Sequence, residues 1–209
     1  MSKKKKKAAK QVARKEHAVL APLIGLSQTR AVQALSPVAK ATDEPPLLAL
    51  GLATLAAGVM LRRPALTRGG ARMVTSHLVA TGLKTVLKAS VDRVRPNVAG
   101  GDPHIGKGHG ADDTDRNAFP SGHTAGAVAV AQAIGQEAPG AALPARLAAG
   151  AAGTLQVARG AHYATDVVAG AAIGWLSERL ASWAMGSVER YAAARRQTRA
   201  ETEAAAHPS

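Results

Sequence analysis

Apolar positions along the chain gather into runs divided by charged or Pro- and Gly-rich stretches. Residues 18–37 are mildly apolar and interrupted by Arg30. The clearest run, 45–61, opens on Pro45-Pro46 and closes on Arg62-Arg63-Pro64. Met73 to Ser90 read as a helix carrying His77, Lys84 and Lys88, and Pro96 stops further winding because it lacks an N–H. The stretch 117–136 holds no charged side chain and is rich in alanine. Arg146 to Arg159 and Val167 to Val188 supply two more helical runs, the last with Gly170 and Gly174 spaced for close helix packing. This pattern predicts an all-α bundle of about six helices. It divides into a basic disordered tail over 1–17, a helical domain over 18–188 and a charged C-terminal tail over 189–209.

The runs bear on solvent as well as shape. At about 1.5 Å per residue the run 45–61 extends some 25 Å, a little short of a ~30 Å hydrocarbon core, and Arg62 and Arg63 can snorkel to make up the difference. If the runs cross a membrane six times, the lysine tail, the loops 62–72 and 137–145 and the C-terminal tail share one side. The acidic loop 97–119 falls on the other. Basic residues on one side are what the positive-inside rule expects. The expectation is therefore a multi-pass cell-membrane bundle with both tails cytoplasmic. A soluble helical bundle is the alternative, since charge interrupts several runs.

Composition narrows the functional classes. The formal net charge is +13. Lys3 to Lys7, Lys10, Arg14 and Lys15 concentrate much of it in a tail suited to anionic lipid head groups. Two Trp, two Tyr and one Phe are too few for the stacking platforms of many single-strand nucleic-acid binders, so no nucleic-acid partner is expected. There is no cysteine, which excludes disulfides and thiolate zinc sites. Asp102, His104, His109, Asp112, Asp113 and Asp115 crowd one loop, but their spacing matches no metal-ligand pattern and reads as a solvated surface.

The chemistry centres on Asn117-Ala-Phe-Pro-Ser-Gly-His123. A turn of small residues before an alanine-rich helix exposes backbone N–H groups that have no intrahelical partner, which makes an anion site. Gly122 lets the backbone approach an anion closely, and His123 can exchange a proton near neutral pH. An ordinary N-cap would also use Pro and Ser. Two other stretches add weight: Lys88-Ala-Ser-Val-Asp-Arg-Val-Arg95-Pro96 upstream, and Gly160-Ala-His162-Tyr-Ala-Thr-Asp166 downstream.

In this order the three stretches resemble the signature motifs of the type 2 phosphatidic acid phosphatase superfamily, which includes membrane lipid phosphatases, soluble acid phosphatases and vanadium haloperoxidases. The resemblance covers Lys88 to Asp166. It implies that His162 is a nucleophile forming a phosphohistidine, that Asp166 fixes the tautomer of His162, and that His123 is the general acid and base. Lys88 and Arg95 would clamp phosphoryl oxygens, helped by the Ser121 hydroxyl and the Gly122 amide. No cofactor or metal is expected. The implied substrate is a lipid phosphate or an isoprenyl (di)phosphate, met on the extracytoplasmic face.

One position departs from the family pattern. The third motif usually begins Ser-Arg, with the arginine six residues before the histidine. Leu155 and Gln156 stand there instead. Arg159, one helical turn on, is the candidate replacement. The departure keeps two alternatives in view: a soluble phosphatase or haloperoxidase-like relative whose pocket holds vanadate, and a membrane protein that binds lipid phosphate without turnover.

Overall fold

The computed structural model describes residues 3–27, 29–100, 103–108 and 113–206. Eight α-helices follow one another among them: α1 (Lys3–Leu26), α2 (Arg30–Ala34), α3 (Ser36–Ala41), α4 (Glu44–Met60), α5 (Pro64–Ser90), α6 (Gly122–Glu137), α7 (Pro139–Ala158) and α8 (Ala164–Ala206). Between α5 and α6, β1 (Val91–Arg93) pairs antiparallel with β2 (Ile105–Lys107), setting Val91 opposite Lys107 and Arg93 opposite Ile105.

The helix ends follow local chemistry. Proline sits in the first turn of α4, α5 and α7, where a missing N–H costs nothing. Ser121 caps α6, its hydroxyl accepting from the Thr124 amide at 3.4 Å. Gly160 ends the α7 turn with φ of 65°, a left-handed conformation in which a Cβ is strained.

Helix α6 is the hub and packs on α5, α7 and α8, while α4 lies along α5. Its buried face is Thr124, Ala125, Gly126, Ala127, Ala129, Val130, Ala131 and Ala133, small enough for three neighbours to come close. The approach of α8 is close at both Gly170 and Gly174, and an added Cβ at Gly174 would lie 2.4 Å from the Ala125 carbonyl oxygen. Gly174→Ala is expected to destabilise the protein by about 1–3 kcal/mol through overpacking. Gly150→Ala in α7, with nothing within 4 Å of the new methyl, should be neutral or slightly stabilising. Equal melting temperatures for the two variants would refute this packing account.

Three expectations change. First, among the described residues no helix is long and apolar enough to cross a membrane, so six crossings are not found. Helix α4 has only 17 residues, α5 carries Arg68, Arg72, Lys84 and Lys88, and 18–37 breaks into the end of α1 and two short helices. Large apolar side chains nevertheless face outward along α4, α5 and α8, among them Leu52, Met60, Val86, Val168, Trp175 and Trp183. Second, the segment expected to be a disordered tail is helical from Lys3, and the C-terminal tail continues α8 to Ala206. Lys, Ala, Arg, Gln and Glu are strong helix formers, and pairs such as Arg199–Glu203 at 2.8 Å support the turns. Third, Glu16 in mid-α1 binds Arg93 and Thr165 beside the third motif. Charge placement alone puts residues 1–17 on the side opposite the motifs; α1 instead meets them. Asp102, His109 and Asp112 of the acidic loop lie outside the described residues.

Candidate active site

The first motif leaves α5 through β1. Lys88, in the last turn of α5, donates to the Asn117 carbonyl at 3.0 Å. Burial, then the neighbouring charges of Arg95 and Lys84, push its ammonium down to about 8. Arg95 is anchored at both ends: its backbone N–H donates to the Asp115 carbonyl at 2.8 Å, its Nε–H to that of Thr114 at 2.6 Å. The second motif is tied to the first where the Ala118 amide donates to the Arg93 carbonyl at 3.0 Å.

The third motif turns the chain from α7 into α8. The amides of Ala161 and His162 both donate to the Gln156 carbonyl, at 3.0 and 3.3 Å, and this sets the His162 ring beneath the second motif. His162 Nδ1 lies 2.7 Å from the Ala118 carbonyl oxygen. A carbonyl can only accept, so Nδ1 carries the hydrogen and Nε2 keeps a free lone pair. Burial, then the charge of Arg95, push the ring down to about 3, which keeps it neutral and nucleophilic at ordinary pH.

A cavity of about 320 Å³ joins Lys84, Lys88, Arg95, Gly122, His123 and His162. The two imidazole rings are 6.2 Å apart between centroids. A second cavity of about 310 Å³ shares Arg95 and His123 and is lined by Arg159, Gln156, Asn97 and Lys40. Arg159 thus reaches the neighbourhood of the site from the end of α7. Gln156 is fully buried and neither atom of its amide has a hydrogen-bond partner, so the position that departs from the family pattern still faces this space.

Two expected roles are not met by the geometry. Ser121 is fully buried, its hydroxyl shared with Thr124 at 3.0 Å, and it lines neither cavity; capping α6 has taken it. Asp166 Oδ2 is 3.9 Å from His162 Nδ1, too far for a hydrogen bond. The Ala118 carbonyl fixes the tautomer instead. Asp166 accepts from Arg93 Nη1 at 2.5 Å and from the Tyr163 amide at 2.8 Å. Burial pushes its carboxyl up to about 6 against the pull of Arg93.

Residues that sequence reasoning passed over also stand here. Arg93 lies inside the first motif, where only Lys88 and Arg95 drew notice. It holds Asp166, meets Thr165 Oγ1 at 2.7 Å and Glu16 at 2.5 Å, and stacks 4.2 Å from the Tyr163 ring. Asp43 pairs with His123 Nε2, and Glu44 with Lys84. A third cation in the first motif and two acids directly ahead of Pro45-Pro46 were the visible signals.

The arrangement is a cationic cradle around one buried imidazole with a free ring nitrogen and one partly exposed imidazole, suited to binding a tetrahedral oxyanion. No curated protein sequence matches the chain. The crystal structure of Aquifex aeolicus LpxE superposes with a TM-score of 0.57 at 20% identity, covering 78% of this chain and 93% of that one. At this identity the likeness is one of fold. That of a transmembrane PAP2-type phosphatidylglycerolphosphate phosphatase from Bacillus subtilis gives a TM-score of 0.43 at 23% identity over 85% and 97% of the two chains. The sequence model of the PAP2 superfamily matches residues 69–189, more than half of the chain and all three motifs, and on that match the chain belongs to the PAP2 superfamily.

Proposed function

We propose that the protein is a phosphatase that hydrolyses a lipid phosphate or isoprenyl (di)phosphate at a cell membrane through a phosphohistidine. The observation that carries this reading is His162, held neutral with Nε2 free in the cavity it shares with His123, Lys88 and Arg95. In the first step Nε2 attacks phosphorus, the bond to the leaving oxygen breaks, and His123 gives that oxygen a proton. In the second, water attacks phosphorus, His123 takes the water's proton, and the P–N bond breaks to release phosphate. Proton transfer of this kind contributes typically ~10²–10⁴-fold. Lys88 and Arg95 meet the charge on the phosphoryl oxygens, with Arg159 beside them and the Gly122 amide at the head of α6, so the scheme asks for no metal. The outward apolar side chains of α4, α5 and α8 supply a surface for acyl or isoprenyl chains.

The test is phosphate release by the purified protein from a panel of lipid phosphates and diphosphates, with a chelator present. Release that survives the chelator is expected. Binding without release from any member, by folded protein, would favour the second reading, a lipid-phosphate-binding protein, which Gln156 in place of arginine recommends.

The clamp also has a pH signature. A lysine is charged only below its pKa, and that of Lys88 is pushed down to about 8. The inhibition constant of inorganic vanadate should therefore hold steady up to about pH 8 and weaken above it, by at most about tenfold per unit. Lys88→Arg should keep inhibition flat through about pH 9.5, because arginine stays protonated. A wild-type constant unchanged across this range would remove Lys88 from the clamp.

A further inference from the structure

Asp43 occupies the N-cap position of α4 with an extended backbone, φ −65° and ψ 162°, yet its side chain makes no capping hydrogen bond. The sequence explains why. A capping aspartate normally accepts from the amides two and three residues on. Here those residues are Pro45 and Pro46, which have no N–H. The carboxylate is left without its local partners and turns into the cavity, where it meets His123 Nε2.

The other groups around that ring are largely cationic. Lys84 and Lys88 approach from α5, Arg95 from the segment after β1, Arg159 from the end of α7, Lys40 from α3, and His162 from the α7–α8 turn. Of the two acids at the start of α4, Glu44 is engaged by Lys84, and Asp166 lies behind with Arg93. Cations hold the substrate, but they also disfavour a protonated imidazole, and a neutral His123 cannot give a proton to a leaving oxygen. Burial is the largest influence pushing the His123 ring down, with Arg95 and Arg159 adding to it, while Asp43 acts in the opposite direction, as charge and as hydrogen-bond acceptor. The carboxylate comes from outside the segment 69–189 that matches the family.

We infer that Asp43 is a positioning residue that keeps the proton on His123 for delivery to the leaving oxygen. The inference rests on the phosphatase reading above. It separates two demands on one cavity, cations for binding and an acid for departure, by giving the acid a private carboxylate. With Asp43 bonded at Nε2, proton exchange with the substrate falls to Nδ1.

The test compares Asp43→Asn and Asp43→Glu with wild type on two monoesters. An alkyl phosphate has a leaving oxygen that needs a proton; p-nitrophenyl phosphate does not. For Asp43→Asn, kcat/KM toward the alkyl ester at pH 7 should fall about tenfold or more. The alkaline limb of its pH profile should move to lower pH, and p-nitrophenyl phosphate should lose no more than about threefold. Asp43→Glu should restore most of the loss. Titration of the His123 ring by NMR in the intact protein should show a lower midpoint in Asp43→Asn. Equal losses on both esters with an unmoved limb would overturn the inference in favour of a purely structural role. Faster turnover or tighter phosphate binding in Asp43→Asn would overturn it too, by making Asp43 an anion that competes with substrate. If wild type releases phosphate from no ester, the phosphatase reading fails, and an unshifted NMR midpoint would then sink the pairing on its own.

Discussion

His162→Ala is expected to lower phosphate release by roughly four orders of magnitude or more, since losing the nucleophile removes the covalent route altogether. The size follows from the geometry. His162 is buried with its Nδ1 hydrogen given to the Ala118 carbonyl, so one nitrogen is aimed and available. His123 is 6.2 Å away between ring centroids and already paired with Asp43, which leaves it no equivalent place from which to attack. Lys88, Arg95 and Arg159 are untouched by the substitution, so the affinity for inorganic phosphate should change no more than about threefold. Wild type, quenched during turnover, should carry an acid-labile and alkali-stable phosphoenzyme that the variant lacks. Release within about tenfold of wild type by a folded His162→Ala protein would exclude His162 as nucleophile and remove the phosphohistidine scheme.

Arg93→Ala should be the most destabilising of the single substitutions considered. The guanidinium is 4% exposed and bridges Asp166, fully buried, and Glu16, 13% exposed. Its removal leaves two acids in low dielectric without their cation, a loss of about 3–5 kcal/mol. At this chain length that is a fall in melting temperature of roughly 6–20 °C. The carboxyl of Asp166 already sits at about 6 with Arg93 pulling it down. Without that pull it rises further and takes a proton near neutral pH, which removes part of the penalty. Arg93→Leu combined with Glu16→Gln and Asp166→Asn should regain much of the lost stability, because no uncompensated charge is then buried. Arg93 does not line the cavity, so KM should change little even where stability collapses. A melting temperature within about 2 °C of wild type for Arg93→Ala would show that the Glu16–Arg93–Asp166 chain does not tie α1 to the third motif.

Much of the site was legible. The spacing of Lys88, Arg95 and Pro96, the Pro120-Ser-Gly-His123 turn and the His162 to Asp166 interval each mark a chain turn at a helix end, and turns are local. Gly170 and Gly174 announced the close approach of α8, and Pro45 and Pro64 bounded helices where proline chemistry requires, but the loops expected over 62–72 and 137–145 are wound into α5 and α7, and α5 gives way to β1 before Pro96 is reached. Ser121 shows the limit of such reading. Capping and phosphate binding ask for the same residue in the same turn, and the packing of Thr124 against it chose capping. The tails were misread for a related reason. Lysine and alanine signal solvation and helix at once, and α1 is anchored by Glu16 and His17 on residues far along the chain.

By itself the sequence determined the helical periodicity, the family and the three turns that carry His123, His162 and the Lys88–Arg95 pair. These depend on side-chain period, on missing N–H groups and on the conformational range of glycine, which act over a few residues. Tertiary structure decided which partner each charged or polar group takes: Ala118 rather than Asp166 for His162, Arg93 for Asp166, Asp43 for His123. It also decided that α1 meets the motif end. Buried polar groups must be satisfied by whatever the packed bundle brings within about 3 Å, and that neighbour is set by helix crossings and loop closure, which no local pattern along the chain encodes.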